Sequence, residues 1–161
     1  MRTAHPVCMN RIADALELLT AQHDEIDTLI AELATSTIPL VRNDTLSQLV
    51  EMLTLHLAVE QELFYPAVAF ALCAEVREEL RAEHSEIKRI LADMLWLESE
   101  DARFARKLTA LQSLIAWHST WQQDELFVTI AETMSADQLA DLGAQMNAWI
   151  EGTAADFAIA A

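Results

Sequence analysis

A chain of 161 residues is long enough for one domain that buries about two-thirds of its unfolded surface, and two Gly and three Pro are too few turn-formers for a sheet-rich fold. Its formal charge of −16, with only ten Lys and Arg spread along the chain, disfavours a phosphate-binding surface and an anionic lipid surface alike. The longest uncharged run, 108–123, is shorter than the roughly 20 residues of a spanning helix. The N-terminus has Arg2 but no long apolar stretch with a small-residue cleavage site, so a cytoplasmic protein is expected, with neither nucleic acid nor membrane as partner.

Apolar residues recur at steps of three and four, the period of an amphipathic helix, and the expected class is all-α. The first helix is expected over about 10 to 34, with the inward seam Ile12, Leu16, Leu19, His23, Ile26, Ile30, Leu33, and it stops before Pro39. Asp44 or Thr45 is expected to cap the second helix, whose seam is Leu46, Leu49, Leu53, His56, Glu60, Leu63. Pro66 should break this helix one or two turns past Glu60, and a kink there would open a channel for a small ligand. The third helix, about 74 to 98, has the seam Val76, Leu80, His84, Ile87, Leu91, Met94. The fourth, about 101 to 133, has Phe104, Leu108, Leu111, Ile115, His118, Gln122, Glu125. Ser135 and Gln138 form a capping box for a short fifth helix, about 136 to 151, ending near Gly152 and followed by a frayed tail. The domain is therefore read as single over 1–161, its bundle covering about 10–134.

Each of the four long seams is interrupted by histidine, and on the second helix Glu60 follows His56 by one turn on the same face. A lone buried histidine is ordinarily structural, and a lone buried carboxylate costs several kcal/mol or takes up a proton. Five such groups at matching levels of four helices are instead the donor set of a cation site, and imidazole with carboxylate suits iron, zinc or manganese. Cys8 and Cys73 are not part of it; without CxxC spacing they read as free thiols, Cys73 partly buried. His5 lies off the seams and reads as surface. Trp96, Trp117, Trp121 and Trp149 read as core fillers, Trp117 and Trp121 flanking His118. There is no HExxH, and no Glu-x-x-His pair.

The chain also echoes itself. Residues 21–26 match 82–87 at an offset of 61, and His56 to Glu60 matches His118 to Gln122 at an offset of 62, the pattern of two similar helical hairpins packed antiparallel.

With His23, the run from His56 to Glu60 trailed by Leu63, Phe64, Tyr65 and Pro66, then His84 and His118, the chain resembles the hemerythrin-like, or HHE cation-binding, family. The resemblance covers most of residues 15–130. It implies an up-and-down four-helix bundle with a non-haem di-iron centre, in which the histidines cap two irons and the Glu at the place of Glu60 bridges them. Two positions depart from the family pattern. Gln122 stands where the family carries a second acid, so Glu125, then Asp27, then Asp124 through a local π-bulge, are the candidate replacements. Lys88 stands where the oxygen-carrying members place a further histidine, which favours redox chemistry or sensing over reversible oxygen transport.

The metal set expected is thus His23, His56, Glu60, His84, His118 and Glu125, holding two irons, with one iron or a zinc as the lesser case. The function implied is binding or reduction of a small oxidant, O2, peroxide or NO. The alternative is a metal-dependent sensing or storage module using the fifth helix as a partner surface, and a homodimer is compatible with either.

Overall fold

The structure, a computed structural model, describes the backbone of residues 13–160 and the side chains of 13–153. Expectations for His5, Cys8 and Ile12 fall outside the described residues. Five long helical elements follow one another. Helix α1 is Ala15–Thr35. Helix α2 begins as Pro39–Val59, passes through a π-helical segment Glu60–Phe64, and ends with the turn Tyr65–Ala67. Helix α3 is Ala74–Leu95. Helix α4 begins as Ala102–Trp121, passes through a second π-helical segment Gln122–Leu126, and continues as Phe127–Thr133. Helix α5 is Ala136–Ala160.

The starts follow from local chemistry. Asp14 accepts from the N–H groups of Leu16 and Glu17 while Glu17 reaches back, a capping box that sets the first residue of α1. Ser135 and Gln138 make the same reciprocal pair ahead of α5, as expected. Helix α2 differs from expectation, since Asp44 and Thr45 lie inside it. The helix starts at Pro39, whose missing N–H is one of the donors a first turn leaves unused anyway. Gly152 does not end α5: no glycine takes a positive φ among the described residues, and helical backbone continues to Ala160.

Antiparallel packing sets α1 against α2 and α4, and α3 against α4. Two apolar clusters fill the bundle. One holds Ile26, Ile30, Leu33, Leu49, Leu53, Leu57, Ile87, Met94, Phe104, Leu111 and Ile115, from the halves of the helices nearest the α1–α2 and α3–α4 loops. The other holds Leu19, Phe64, Leu80, Leu126, Phe127 and Ile130 together with Leu139, Leu142 and Met146 of α5. Helix α5 is therefore docked against α1 and α2 rather than free. Gly143 makes the docking possible: a Cβ there would lie 2.5 Å from the carbonyl oxygen of Ala13, backbone that cannot yield as a side chain tip does. Trp96 is 91% exposed and Trp117 55% exposed, and Cys73 is an exposed free thiol, so these three do not fill the core. No helix of the described residues is long and apolar enough to cross a membrane.

Candidate metal centre

Between the two apolar clusters lies a polar layer. His23, His56, Glu60, His84, His118 and Gln122 are each at most 1% exposed. One donor atom from each of His23, His56, Glu60 and His118 lies within 4.8 Å of the others. Donors about 2.0–2.2 Å from a shared ion sit at most about 4.4 Å apart, so this group must close around a cation.

Between ring centroids His23 and His56 are 4.9 Å apart and His84 and His118 5.5 Å, while His118 is also 5.9 Å from both His23 and His56. Glu60 stands between them with its oxygens divided. Oε1 is 3.5 Å from His56 Nε2, whereas Oε2 is 3.1 Å from His84 Nε2 and 3.4 Å from His118 Nε2. A carboxylate with one oxygen on each side has the disposition of a bridge.

The outer nitrogens are held from behind. Gln22 Oε1 lies 2.9 Å from His56 Nδ1, Glu83 pairs with His118 Nδ1, and the Gln123 amide lies 3.1 Å from His23 Nδ1. An acceptor on Nδ1–H leaves the Nε2 lone pair facing inward, which is how metal-ligating histidines are oriented. At His23 the amide nitrogen of Gln123 faces Nδ1, so an inward Nε2 lone pair there requires the Gln123 amide to turn its oxygen to the ring. The inward Nε2 atoms of His23, His56 and His118, and Oε1 of Gln122, are buried without a hydrogen-bond partner. Buried polar atoms are seldom left so, and several pointing into one small space fit a cation as their common partner.

Electrostatics divide the imidazoles, and a cation at His118 would have to displace its proton. Burial pushes the His23 imidazole down to about 4 and that of His56 down to about 3, so both are neutral near pH 7 with lone pairs available. His118 behaves oppositely: burial disfavours its charge, but Glu60 and Glu83 outweigh that and push it up to about 10. Burial likewise opposes the charge of Glu60, and His56 and His118 reverse that, holding its carboxyl well below the usual range. Burial and the neighbouring Glu60 push the Tyr65 phenol well above 10.

The π segments account for residues that the regular helical period misplaces. In α2 the Tyr65 N–H bonds to Glu60 O, and in α4 the Phe127 N–H bonds to Gln122 O, each five residues back. The wider turn carries the seam of α4 from Gln122 to Leu126 and Phe127, both buried. Glu125, a sequence candidate at a spacing of seven from His118, is consequently turned to solvent, as is Asp124. Asp27 is also exposed. None of the three is brought to the polar layer. Gln122 itself occupies the expected place of the second acid, and its Nε2 donates to Glu60 Oε1 (2.6 Å) and Tyr65 Oη (2.8 Å). Tyr65, unnoticed as a functional residue in the sequence, donates to Glu60 Oε2 at 3.1 Å, reaching it because the π turn sets the two residues five apart on one face.

A sequence model of the hemerythrin HHE cation binding domain matches residues 14–130, which include every residue of this layer. The chain belongs to the hemerythrin HHE family. In crystal form, an HHE cation binding domain-containing protein from Mycobacterium kansasii superposes on this HHE domain with a TM-score of 0.76, covering 87% of this chain and 86% of that one; at 20% identity the likeness is one of fold. A protein of Nostoc sp. named DNA nickase is 25% identical over 122 residues, 76% of this chain. The chain spans 35% of that relative's length.

Of the residues singled out in sequence, the structure gathers His23, His56, Glu60, His84 and His118 and leaves Glu125 outside. The supports Gln22, Glu83 and Gln123 carried one legible signal, since Gln22 and Glu83 immediately precede His23 and His84 in the two copies of the repeat.

Proposed function

We propose that this HHE domain is a non-haem di-iron protein that binds or reduces a small oxidant, O2, peroxide or NO. The observation that carries the proposal is the division of Glu60: one oxygen toward His56 and the other toward His84 and His118, in a layer where the inward Nε2 atoms of His23, His56 and His118 make no hydrogen bond. His23 and His56 would hold one iron, His84 and His118 the other, and Glu60 would bridge them.

Bound iron supplies an exchangeable coordination position and the electrons that a small oxidant takes up. The chain's own residues do the rest. Gln22 and Glu83 fix the ring planes of His56 and His118 before any ligand arrives, so ordering these rings adds no entropic cost on binding. Tyr65 Oη keeps its proton at neutral pH and donates it to Glu60 Oε2, 3.4 Å from His84 Nε2, which fixes the carboxylate beside His84 and His118. The apolar clusters above and below exclude bulk water and strengthen these polar contacts. Zinc or a single iron would satisfy the same donors with less of the layer used.

A sensing module working through a free fifth helix is less well supported, since α5 is packed by Leu139, Leu142 and Met146. Nucleic acid is not among the proposed partners: ten cations in a chain of charge −16 provide little for counterion release, whatever the name of the Nostoc relative implies for that larger protein. A cytoplasmic setting is proposed along with the function.

The test has two parts. Metal content per chain is measured by mass spectrometry on protein purified without chelator, and near two irons is expected. The reduced protein is then exposed anaerobically to O2, peroxide and NO in turn under a spectrometer. Absence of metal, or an unchanged spectrum with all three, rejects the proposal.

A further inference from the structure

The two hairpins differ in what meets their outer grooves. On the first, α5 lies across α1 and α2, and its Leu139, Leu142 and Met146 share an apolar cluster with Ala15, Leu19 and Val59. The internal repeat carries this groove to the second hairpin. At an offset of 61, Ala15, Leu18, Leu19 and Gln22 become Val76, Glu79, Leu80 and Glu83; at an offset of 62, Leu55 and Val59 become Trp117 and Trp121. The second set of six lines a cavity of about 100 Å³ between α3 and α4, with no Lys or Arg in its wall.

The replacements are of two kinds: acids stand where the first hairpin has leucine and glutamine, and indoles where it has leucine and valine. Trp117 and Trp121 lie nearly parallel, 9° apart with 6.5 Å between ring centroids, and Trp117 is 55% exposed, so a stacked apolar surface faces outward. Glu83 is the buried acid of the wall, its side chain 8% exposed. Its Oε1 pairs with His118 Nδ1, while its Oε2 has no hydrogen-bond partner among the described residues and is not a buried atom. One carboxylate oxygen is thus open to the cavity at its inner end. Glu79, one turn earlier on the same face of α3, is exposed and makes no ion pair among the described residues.

We propose that this cavity binds a short aliphatic diamine, one ammonium group held by Glu83 Oε2, the other by Glu79, with the methylenes between them laid against Trp117, Trp121 and Leu80. Each part of the wall then has a use. The carboxylates accept charge-assisted hydrogen bonds from the ammonium groups, and the indoles attract the cation and pack its stem. An inorganic cation would use the oxygens and leave the rings bare. The dimensions suit a chain of about four carbons: Glu79 and Glu83 are four residues apart on α3, about 6 Å at about 1.5 Å per residue. The volume equals about three water-sized groups at roughly 30 Å³ each, enough for the inner ammonium and part of the stem, with the outer ammonium at the rim beside Glu79. A chain of charge −16 also draws a dication toward it. The proposal is independent of the metal reading, since none of the six lining residues belongs to the polar layer.

The test is an NMR titration of the purified protein at low ionic strength, read at the indole N–H resonances of its four tryptophans. Butane-1,4-diamine is the probe; butane-1,4-diol keeps its length without the charge, and magnesium ion keeps its charge without the chain. Saturable shifts of Trp117 and Trp121, with Trp96 and Trp149 unmoved, are expected for the diamine, at an affinity about ten-fold above those of the diol and of magnesium. Glu79→Gln, on an exposed side chain, should weaken diamine binding about five-fold, the upper range for a surface ion pair, and Glu79→Asp should recover part of the loss. Trp117→Leu, which installs the first hairpin's residue at an exposed position, should weaken it about three-fold. Absence of saturable shifts, equal shifts at all four indoles, a matching response to magnesium, or an unaffected Glu79→Gln or Trp117→Leu variant overturns the proposal.

Discussion

The first hairpin, α1 with α2, and the second, α3 with α4, are built alike and charged differently. Each places a histidine on its first helix and another on its second, each inserts a π turn immediately after, and each uses the residue before its first histidine to hold its second. In the first hairpin that support is the amide Gln22 and the residue four after His56 is the acid Glu60. In the second the support is the acid Glu83 and the residue four after His118 is the amide Gln122. Each hairpin therefore directs one carboxylate at the polar layer, the first from the inside and the second from behind. This exchange explains why His56 is pushed down to about 3 whereas His118, with carboxylates on both sides, is pushed up to about 10. A duplicated scaffold yields an unsymmetrical centre because charge, unlike backbone geometry, changes with a single substitution.

Removing the inner charge should break the comparison most severely. Glu60→Gln leaves an amide in both inner positions, and metal content by mass spectrometry should fall more than about ten-fold while the helical circular dichroism is retained. In the apolar half, by contrast, the hairpins should respond alike. Leu53→Ala and its counterpart Ile115→Ala, at 0% and 2% exposure, should each cost about 2–5 kcal/mol in urea unfolding of the metal-free protein; a large difference between them would show that the symmetry stops at the backbone.

Smaller effects sharpen the contrast. Gln122→Glu makes both inner positions acidic, so two carboxylates would crowd each other without metal and share its charge with metal. The midpoint of thermal unfolding should fall for the metal-free protein, by the equivalent of about 1–3 kcal/mol, and the stabilisation on adding metal should grow. Equal shifts in both states would mean that Gln122 only packs. Glu83→Gln makes the outer supports alike, and metal affinity in a competition titration should drop about ten-fold, with a smaller loss for Gln22→Ala because an amide gives up less than a charge. Gly143→Ala should cost about 1–3 kcal/mol through the backbone contact with Ala13, and metal content should not change, since α5 covers the bundle without contributing to the layer.

Much of this was legible in the chain. Seams counted at steps of three and four named His23, His56, Glu60, His84 and His118, and all five are buried together. The period failed at Glu125 because it assumes a constant turn, and a π turn adds a residue without any composition that marks it. The late arrival of Glu-Leu-Phe after His118 does not mark the π turn of α4, because α2 inserts one at the same distance from His56 and the two insertions cancel in any comparison of the repeats. The start of α2 was misplaced for a different reason: Pro39 ends one helix and begins the next, and only the first role was read. Trp96 and Trp117 look like core residues by type, yet type does not say which face of a helix meets a neighbour.

What the sequence by itself determined is therefore the class, the two-hairpin plan and the histidines with Glu60, because burial at a helical period is a local property that repeats every turn. The tertiary structure decided the outer supports Gln22, Glu83 and Gln123, the hydroxyl of Tyr65 against Glu60, and the exclusion of Glu125. Those depend on side chains meeting across helices and on where a turn widens, and such distances are set only when the helices have packed.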